Sequence, residues 1–264
     1  MLWEAFCKHQ QVATFLFLFG IVQVIVYAQQ NPTGDEVADM AYYRDDGTDR
    51  HQQMVMTLID KNGKQTERRL EVWEKDYGDL KKRLLRFTAP ASIAGTGFLN
   101  IEKEKGSDEQ FLFLPELRRS RRIAASRRNA RFVNTDFTYE DMERRHPGRS
   151  MHRFFKSGQA LNRDCWVIES ISKNPDDSHY RNILSWVDRE SSLVLKAEFY
   201  DKKGRLAKHF EVQEIRKIDG IWTATRVLMK DVLRHHSTLL TLTRVEYNRN
   251  IPDKLFTVRN LEKY

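Results

Sequence analysis

The feature that most constrains the fold is a repeated alternation of short extended runs with tight polar turns. Runs 51–59 and 64–73 flank Asp60-Lys61-Asn62-Gly63, and Asn-Gly between two extended runs is a strong hairpin signal. Turns of similar chemistry recur at 201–204 and 219–220. Runs at such regular spacing, with almost no helical periodicity, predict one large antiparallel sheet. The predicted strands are 51–59, 64–73, 82–87, 183–188, 193–200, 206–215, 221–232 and 238–247.

The predicted sheet is too large to stay flat, because sheets of about ten strands curl or split. A curled sheet has a concave apolar face that requires a cover, yet the chain offers few helices. Helical spacing of apolar residues occurs at 34–43, where Asp35 and Glu36 favour the first turn. We therefore expect an α+β, mostly β, fold with a strongly curled antiparallel sheet. Its concave face would be incompletely filled and open to apolar ligands.

Residues 111–142 combine three patterns in one stretch. An apolar run opens it, seven arginines follow between Arg118 and Arg131, and acidic and aromatic residues close it. Clustered arginines suit nucleic acid, anionic lipid headgroups or a lipidated cargo, and also carboxylates of the same domain. Internal pairing of the Arg118–Arg122 group with Asp136 and Asp141 is the preferred interpretation, because these carboxylates follow closely along the chain.

The first 28 residues carry the pattern of a secretory signal peptide. Basic residues precede an apolar run at 12–27, and Val26 and Ala28 occupy the positions that a signal peptidase reads. An uncleaved membrane anchor is the alternative, although the run is shorter than the ~20 apolar residues of a spanning helix. The predicted organisation is a signal peptide at 1–28 and a single domain at 29–264.

Several classes of function lack support in the sequence. The net charge of +8 predicts attraction to anionic surfaces without selecting one, and the export signal argues against nucleic acid. The chain contains no Gly-x-Ser-x-Gly, no His-Glu-x-x-His and no Gly-rich phosphate loop. Cys165 lacks the signature of a nucleophile, and adjacent His235 and His236 make a poor metal pair. We expect no enzymatic activity, no metal, no cofactor and no nucleic-acid partner.

Motifs along most of the chain carry a resemblance to a known family. The more specific pair is Leu-Pro-x-Leu-Arg-Arg-x-Arg-Arg at 114–122 and Asp-Phe-x-Tyr-Glu-Asp at 136–141. Weaker matches lie at 73, 81–87, 90, 95–99, 251–253 and 255–257. On these motifs the chain resembles the outer-membrane lipoprotein-sorting family, within the LolA/LolB-like superfamily of periplasmic carriers and receptors.

The resemblance implies a half-open β-barrel, closed by short helices around a hydrophobic cavity for acyl chains. It implies a non-enzymatic carrier that takes a lipoprotein or lipid toward the outer membrane, in the periplasm of a Gram-negative-type envelope. An inner-membrane transporter of the resistance-nodulation-division (RND) type is an expected partner, and peripheral contact with the membrane is expected as well. The alternative is a non-catalytic accessory subunit of an envelope transporter without its own cargo.

Two groups of residues are the site candidates. The cavity candidates are Met40, Leu84, Phe87, Phe98, Phe111 and Phe113. The candidates for a charge cluster at the mouth or lid are Arg118, Arg119, Arg121, Arg122, Asp136, Tyr139 and Asp141. Alternation of side chains along a strand does not reveal which face points inward, so ordinary core packing is the alternative for each cavity candidate.

Overall fold

The structure is a computed structural model that describes residues 31–263; the predicted signal peptide at 1–28 lies outside them. The helices and strands, in chain order, are α1 Gly34–Tyr42, β1 Asp49–Ile59, β2 Gln65–Tyr77, β3 Leu80–Ala89, β4 Gly97–Ile101, β5 Glu109–Leu114, β6 Arg119–Arg122, β7 Ser150–Ala160, β8 Arg163–Ser172, β9 Tyr180–Asp188, β10 Val194–Asp201, β11 Leu206–Ile218, β12 Ile221–Asp231, β13 His236–Tyr247 and α2 Val258–Leu261.

The strands of the described residues form one antiparallel sheet of thirteen, in the order β6-β5-β4-β3-β2-β1-β13-β12-β11-β10-β9-β8-β7. Short turns pair most strands with their neighbours in the chain, whereas pairing of β1 with β13 joins the two ends of the described chain. The predicted antiparallel, mostly β fold with few helices is confirmed. The sheet is neither closed nor strongly curled, so the half-open barrel is not confirmed.

Strands β6 and β7 are consecutive in the chain but form opposite edges of the sheet. The chain between them, residues 123–149, is here called the crossover segment, and it consists of short 3-10 turns joined by extended residues. Its Phe132, Phe137 and Tyr139 are buried in one cluster with Phe87 and Phe98 of the sheet. The crossover segment therefore covers one face of the sheet, which we call the crossover face.

A second cover lies on the other face of β2–β5 and is formed by residues 251–261, here called the C-terminal cover. Its Phe256 and Leu261 pack with Leu84 and Leu99 in a separate buried cluster. A Cβ atom on Gly97 would lie 2.7 Å from Cδ1 of Leu261, so a larger residue here would require the Leu261 side chain to shift.

Helix α1 confirms the helix predicted at 34–43 and lies near the β7 edge. Thr33 caps it in a capping box with Glu36. Val37 packs with Ile168 of β8 and Val187 of β9, so the helix covers the end of the sheet rather than its centre. Across residues 31–263, no helix has the length and apolar character that crossing a membrane requires.

Candidate functional site

An apolar cavity of about 150 Å³ lies between the crossover segment and strands β1–β3 and β13. Its walls come from both the sheet and the cover, since Phe132, Phe137 and Met142 line one side. Its full lining is Arg50, Gln52, Met54, Met56, Leu70, Val72, Arg83, Leu85, Phe132, Phe137, Met142 and Leu240. Because inward-facing residues alternate along a strand, β1 contributes residues 50, 52, 54 and 56. The cavity is therefore polar at one end and apolar at the other.

The polar end of the cavity is a buried ion cluster. Glu74 lies between two guanidinium groups, with 2.6 Å to Nη2 of Arg50 and 2.5 Å to Nε of Arg83. Burial alone would raise the pKa of Glu74, but the two arginines outweigh burial and bring it to about 2. Arg83 also donates to the carbonyl of Met142 at 3.2 Å, which ties the cluster to the cover.

Asp136 anchors the centre of the crossover segment to β13. The hydroxyl of Thr238 donates to Oδ2 of Asp136 at 2.6 Å and accepts from its backbone N–H at 3.0 Å. Nδ1 of His236 lies 2.7 Å from the same carboxylate, and Arg131 lies at 3.8 Å. Because this carboxylate is fully buried, its polar contacts fix the position of the cover.

A second anchor holds the end of the crossover segment near β9 and β11. Asp141 accepts from Nζ of Lys208 at 2.6 Å and from the hydroxyl of Tyr180 at 2.9 Å. Burial raises the pKa of Asp141, but Lys208 and Arg145 outweigh burial, so its pKa lies below the ordinary value. Neighbouring Glu140 accepts from the hydroxyl of Ser178 at 2.5 Å. The cover is thus attached through its own carboxylates.

The predicted cavity residues do not line one cavity. Phe87 and Phe98 lie on the crossover face and are fully buried against Phe132. The other predicted residues of the sheet lie on the opposite face, under the C-terminal cover: Leu84, Phe111 and Phe113. Met40 is 40% exposed on α1. The predicted residues divide between the two faces because side chains an odd number of positions apart along a strand point to opposite faces.

The predicted pairing of Arg118, Arg119, Arg121 and Arg122 with Asp136 and Asp141 is wrong. These four arginines are exposed at or beside β6, an edge of the sheet, where Arg122 pairs with Glu109 at 3.1 Å. The two carboxylates are buried beside β13 and β11 instead. Closeness in sequence does not give closeness in space here, because the crossover segment runs from β6 across the face of the sheet. Tyr139 is buried beside Phe98 and Phe132 and belongs to the packed cover.

Sequence reasoning missed the residues that give the site its polarity: Arg50, Glu74, Arg83, Lys208, His236 and Thr238. One signal was available for Arg50, because it shares the period-2 face of Met54 and Met56. Nothing local marks Thr238 or Lys208, whose partners are 102 and 67 residues distant. Burial raises the pKa of the Cys165 thiol to about 11, which disfavours the thiolate that a nucleophile requires. Within residues 31–263, no cluster of His, Cys, Asp or Glu side chains has the arrangement of a metal site.

Comparisons with known proteins place the chain in a family. Residues 79–263 match the model of a family described as "Uncharacterized protein"-like, and the chain belongs to that family. No curated protein matches the chain.

Several solved structures are similar to this chain over most of its length. A domain named as an outer membrane lipoprotein-sorting protein, from Vibrio parahaemolyticus, is 28% identical, with a TM-score of 0.82 over 87% of this chain and 98% of that one. A DUF1329 family protein from Desulfovibrio piger is 26% identical, with a TM-score of 0.82 over 86% and 97%. A LolA superfamily protein from Nitrosomonas europaea shares the fold at 21% identity, with a TM-score of 0.68 over 86% and 98%. The predicted resemblance to the lipoprotein-sorting, LolA-like superfamily is confirmed.

Proposed function

We propose that the protein is a non-enzymatic carrier that binds acyl chains of a lipid or lipoprotein beneath the crossover segment. The observation that carries the proposal is the apolar cavity of about 150 Å³ between the sheet and a cover with polar anchors. Met54, Met56, Leu70, Val72 and Leu240 form its apolar wall. The LolA-like fold supports a carrier or binding role.

Loading requires displacement of the cover. A volume of about 150 Å³ is that of a cavity that holds benzene, which is much smaller than an acyl chain. Phe132 and Phe137 occupy the adjoining space on the crossover face. An acyl chain that replaced them would gain about 0.8 kcal/mol for each buried methylene, which offsets the packing lost by the two rings. The replacement of the two rings by an acyl chain therefore has a small net free energy. A carrier needs such a small difference, because it must release its cargo as well as bind it.

The setting of the carrier is part of the proposal. Export by the segment at 1–28 would place the domain in the periplasm, and its route would end at the outer membrane. Arg118, Arg119 and Arg121 are exposed near the β6 edge and suit peripheral contact with anionic headgroups. Partnership with an RND-type transporter stays a prediction, because none of the described contacts points to one.

Two substitutions on adjacent residues test the proposal. Leu240 lines the cavity, whereas Leu239 precedes it on β13 and points to the opposite face. The delipidated periplasmic form should bind fluorescent palmitate, Leu240→Trp should lose this binding, and Leu239→Trp should keep it. Mass spectrometry of the undelipidated protein should find bound lipid. Equal binding by the two variants, or no binding by the wild type, would contradict the carrier function.

One observation favours a second function, that of a non-catalytic accessory subunit of an envelope transporter without its own cargo. Phe132, Phe137 and Tyr139 already pack in a buried cluster on the crossover face, as a permanent core would. An accessory subunit would be purified without lipid, would not bind palmitate after delipidation, and would form a stable complex with a transporter. The palmitate assay therefore separates the two functions directly.

A further inference from the structure

We infer that the polar end of the cavity binds the anionic head of a single-chain amphiphile, a carboxylate or a phosphate, while the chain lies along β1 toward Met56. This inference rests on the proposed carrier function and names the chemistry of its ligand. The cavity lining changes along β1 from Arg50 and Gln52 to Met54 and Met56. Six residues of strand span about 20 Å, so one extended molecule can contact both ends.

The charge at this end favours an anion. Arg50 and Arg83 both line the cavity, and the carboxylate between them is that of Glu74. The groups linked by ion pairs here are the cations Arg44, Arg50, Lys81 and Arg83 and the carboxylates Asp46, Glu74 and Asp76. Four cations against three carboxylates leave one positive charge in a largely buried cluster. A ligand anion would neutralise that charge.

Hydrogen-bond donors are also present at this end. Nε of Arg50 is buried and has no acceptor among residues 31–263. A buried N–H without an acceptor is destabilising, so a ligand oxygen that reached it once the cover is displaced would gain a full hydrogen bond. Gln52 places a carboxamide at the same end of the cavity. Guanidinium groups match carboxylate and phosphate oxygens in geometry and charge, and such charge-assisted bonds are stronger than those to a neutral ester.

The test compares amphiphiles that carry different head groups on the same alkyl chain. Palmitate and hexadecyl phosphate carry an anionic head, methyl palmitate carries a neutral one, and inorganic phosphate carries no chain. The wild type should bind the two anionic amphiphiles at least about tenfold more tightly than methyl palmitate, since charged hydrogen bonds are lost with the ester. Inorganic phosphate alone should compete only weakly, because the chain supplies most of the affinity.

Single substitutions with a matched control identify the residues. Arg50→Gln removes the excess positive charge and the Nε donor, while Glu74 keeps its ion pair with Arg83 at 2.5 Å. This variant should bind methyl palmitate as the wild type does and should lose the preference for anionic heads. Arg122→Gln removes an exposed arginine whose partner Glu109 keeps Lys103 at 3.2 Å, and this control should keep the preference. Gln52→Leu, a milder change at the same end of the cavity, should reduce the preference if Arg50→Gln does not fold.

The outcomes separate the inference from the proposed function. Absence of binding for all three amphiphiles contradicts the carrier itself. Equal affinity for palmitate and methyl palmitate leaves the carrier intact and overturns the anionic-head inference. Tight binding of inorganic phosphate without dependence on a chain would also overturn it, because the cluster would then be a simple anion site. An unchanged preference in both Arg50→Gln and Gln52→Leu would place the head elsewhere.

Discussion

The two covers of the sheet differ in the burial of their carboxylates and in what lies beneath them. Side chains of the sheet donate to the backbone of both covers: Lys75 to the carbonyl of Ile251 at 2.8 Å, and Arg83 to that of Met142 at 3.2 Å. The carboxylate of Asp253 in the C-terminal cover is 69% exposed, whereas Asp136 and Asp141 of the crossover segment are buried. The cavity lies under the crossover segment. The carrier proposal therefore makes the crossover segment the displaceable cover and the C-terminal cover a structural one.

The largest expected effects come from removing one aromatic ring from each cover. Phe256 and Phe132 are each 1% exposed, so either Phe→Ala change should lower the free energy of unfolding by about 3–5 kcal/mol. Only Phe132→Ala enlarges the ligand cavity, so only this variant should bind palmitate more tightly. Chemical denaturation and palmitate titration on both variants check this. A gain in affinity for Phe256→Ala would remove the distinction between the covers.

A slightly smaller effect concerns the acid stability of the crossover face. Because the folded-state pKa of Glu74 lies below its ordinary value, ionised Glu74 stabilises the fold above pH 4.5. This contribution, on the order of 3 kcal/mol, is lost as the pH falls from 4.5 toward 2. Glu74→Gln should therefore flatten the dependence of unfolding free energy on pH within that window. An unchanged slope would show that the Arg50–Glu74–Arg83 cluster does not form.

The anchors of the crossover segment are tested by a more moderate change. Thr238→Val preserves shape but removes the hydroxyl that contacts Asp136, at an expected cost of about 1–3 kcal/mol. Hydrogen exchange should accelerate at 131–142 and stay unchanged at 251–261. Thr223→Val is the matched control, since its buried hydroxyl contacts Tyr247 at 2.7 Å away from the crossover segment. The anchor would be refuted if both variants affected residues 131–142 equally.

The smallest effect is expected at the exposed arginines. Arg119 lies on the β6 edge and Asp136 is buried beside β13, so the two side chains do not pair. Arg119→Ala should change the free energy of unfolding by less than about 0.5 kcal/mol. Its effect should add to that of Asp136→Ala within about 0.5 kcal/mol in a double-mutant cycle. A larger coupling energy would restore the pairing that the sequence suggests.

Local chemistry explains which parts of the fold could be predicted from the sequence. The hairpin at Asp60–Gly63 depends on adjacent residues, and helix α1 depends on its own spacing and cap, so both were predictable. The assignment of side chains to the two faces was not predictable, because it requires knowing which cover packs against Leu84 and which packs against Leu85. The pairing of Asp136 with Thr238 joins residues 102 positions apart and has no local signal. The arginine run and the carboxylates that follow it instead suggested ion pairs between groups that lie at different strands of the sheet.

Hydrogen exchange measured by mass spectrometry, with and without palmitate, tests the displaceable cover most directly. Without ligand, residues 131–142 should exchange faster than residues 251–261, because local opening of the crossover segment costs less than opening of the C-terminal cover. Addition of palmitate should change exchange at 131–142 and in β1–β3, and leave 251–261 unaltered. Equal protection of both covers, together with no response to palmitate at 131–142, would contradict the account.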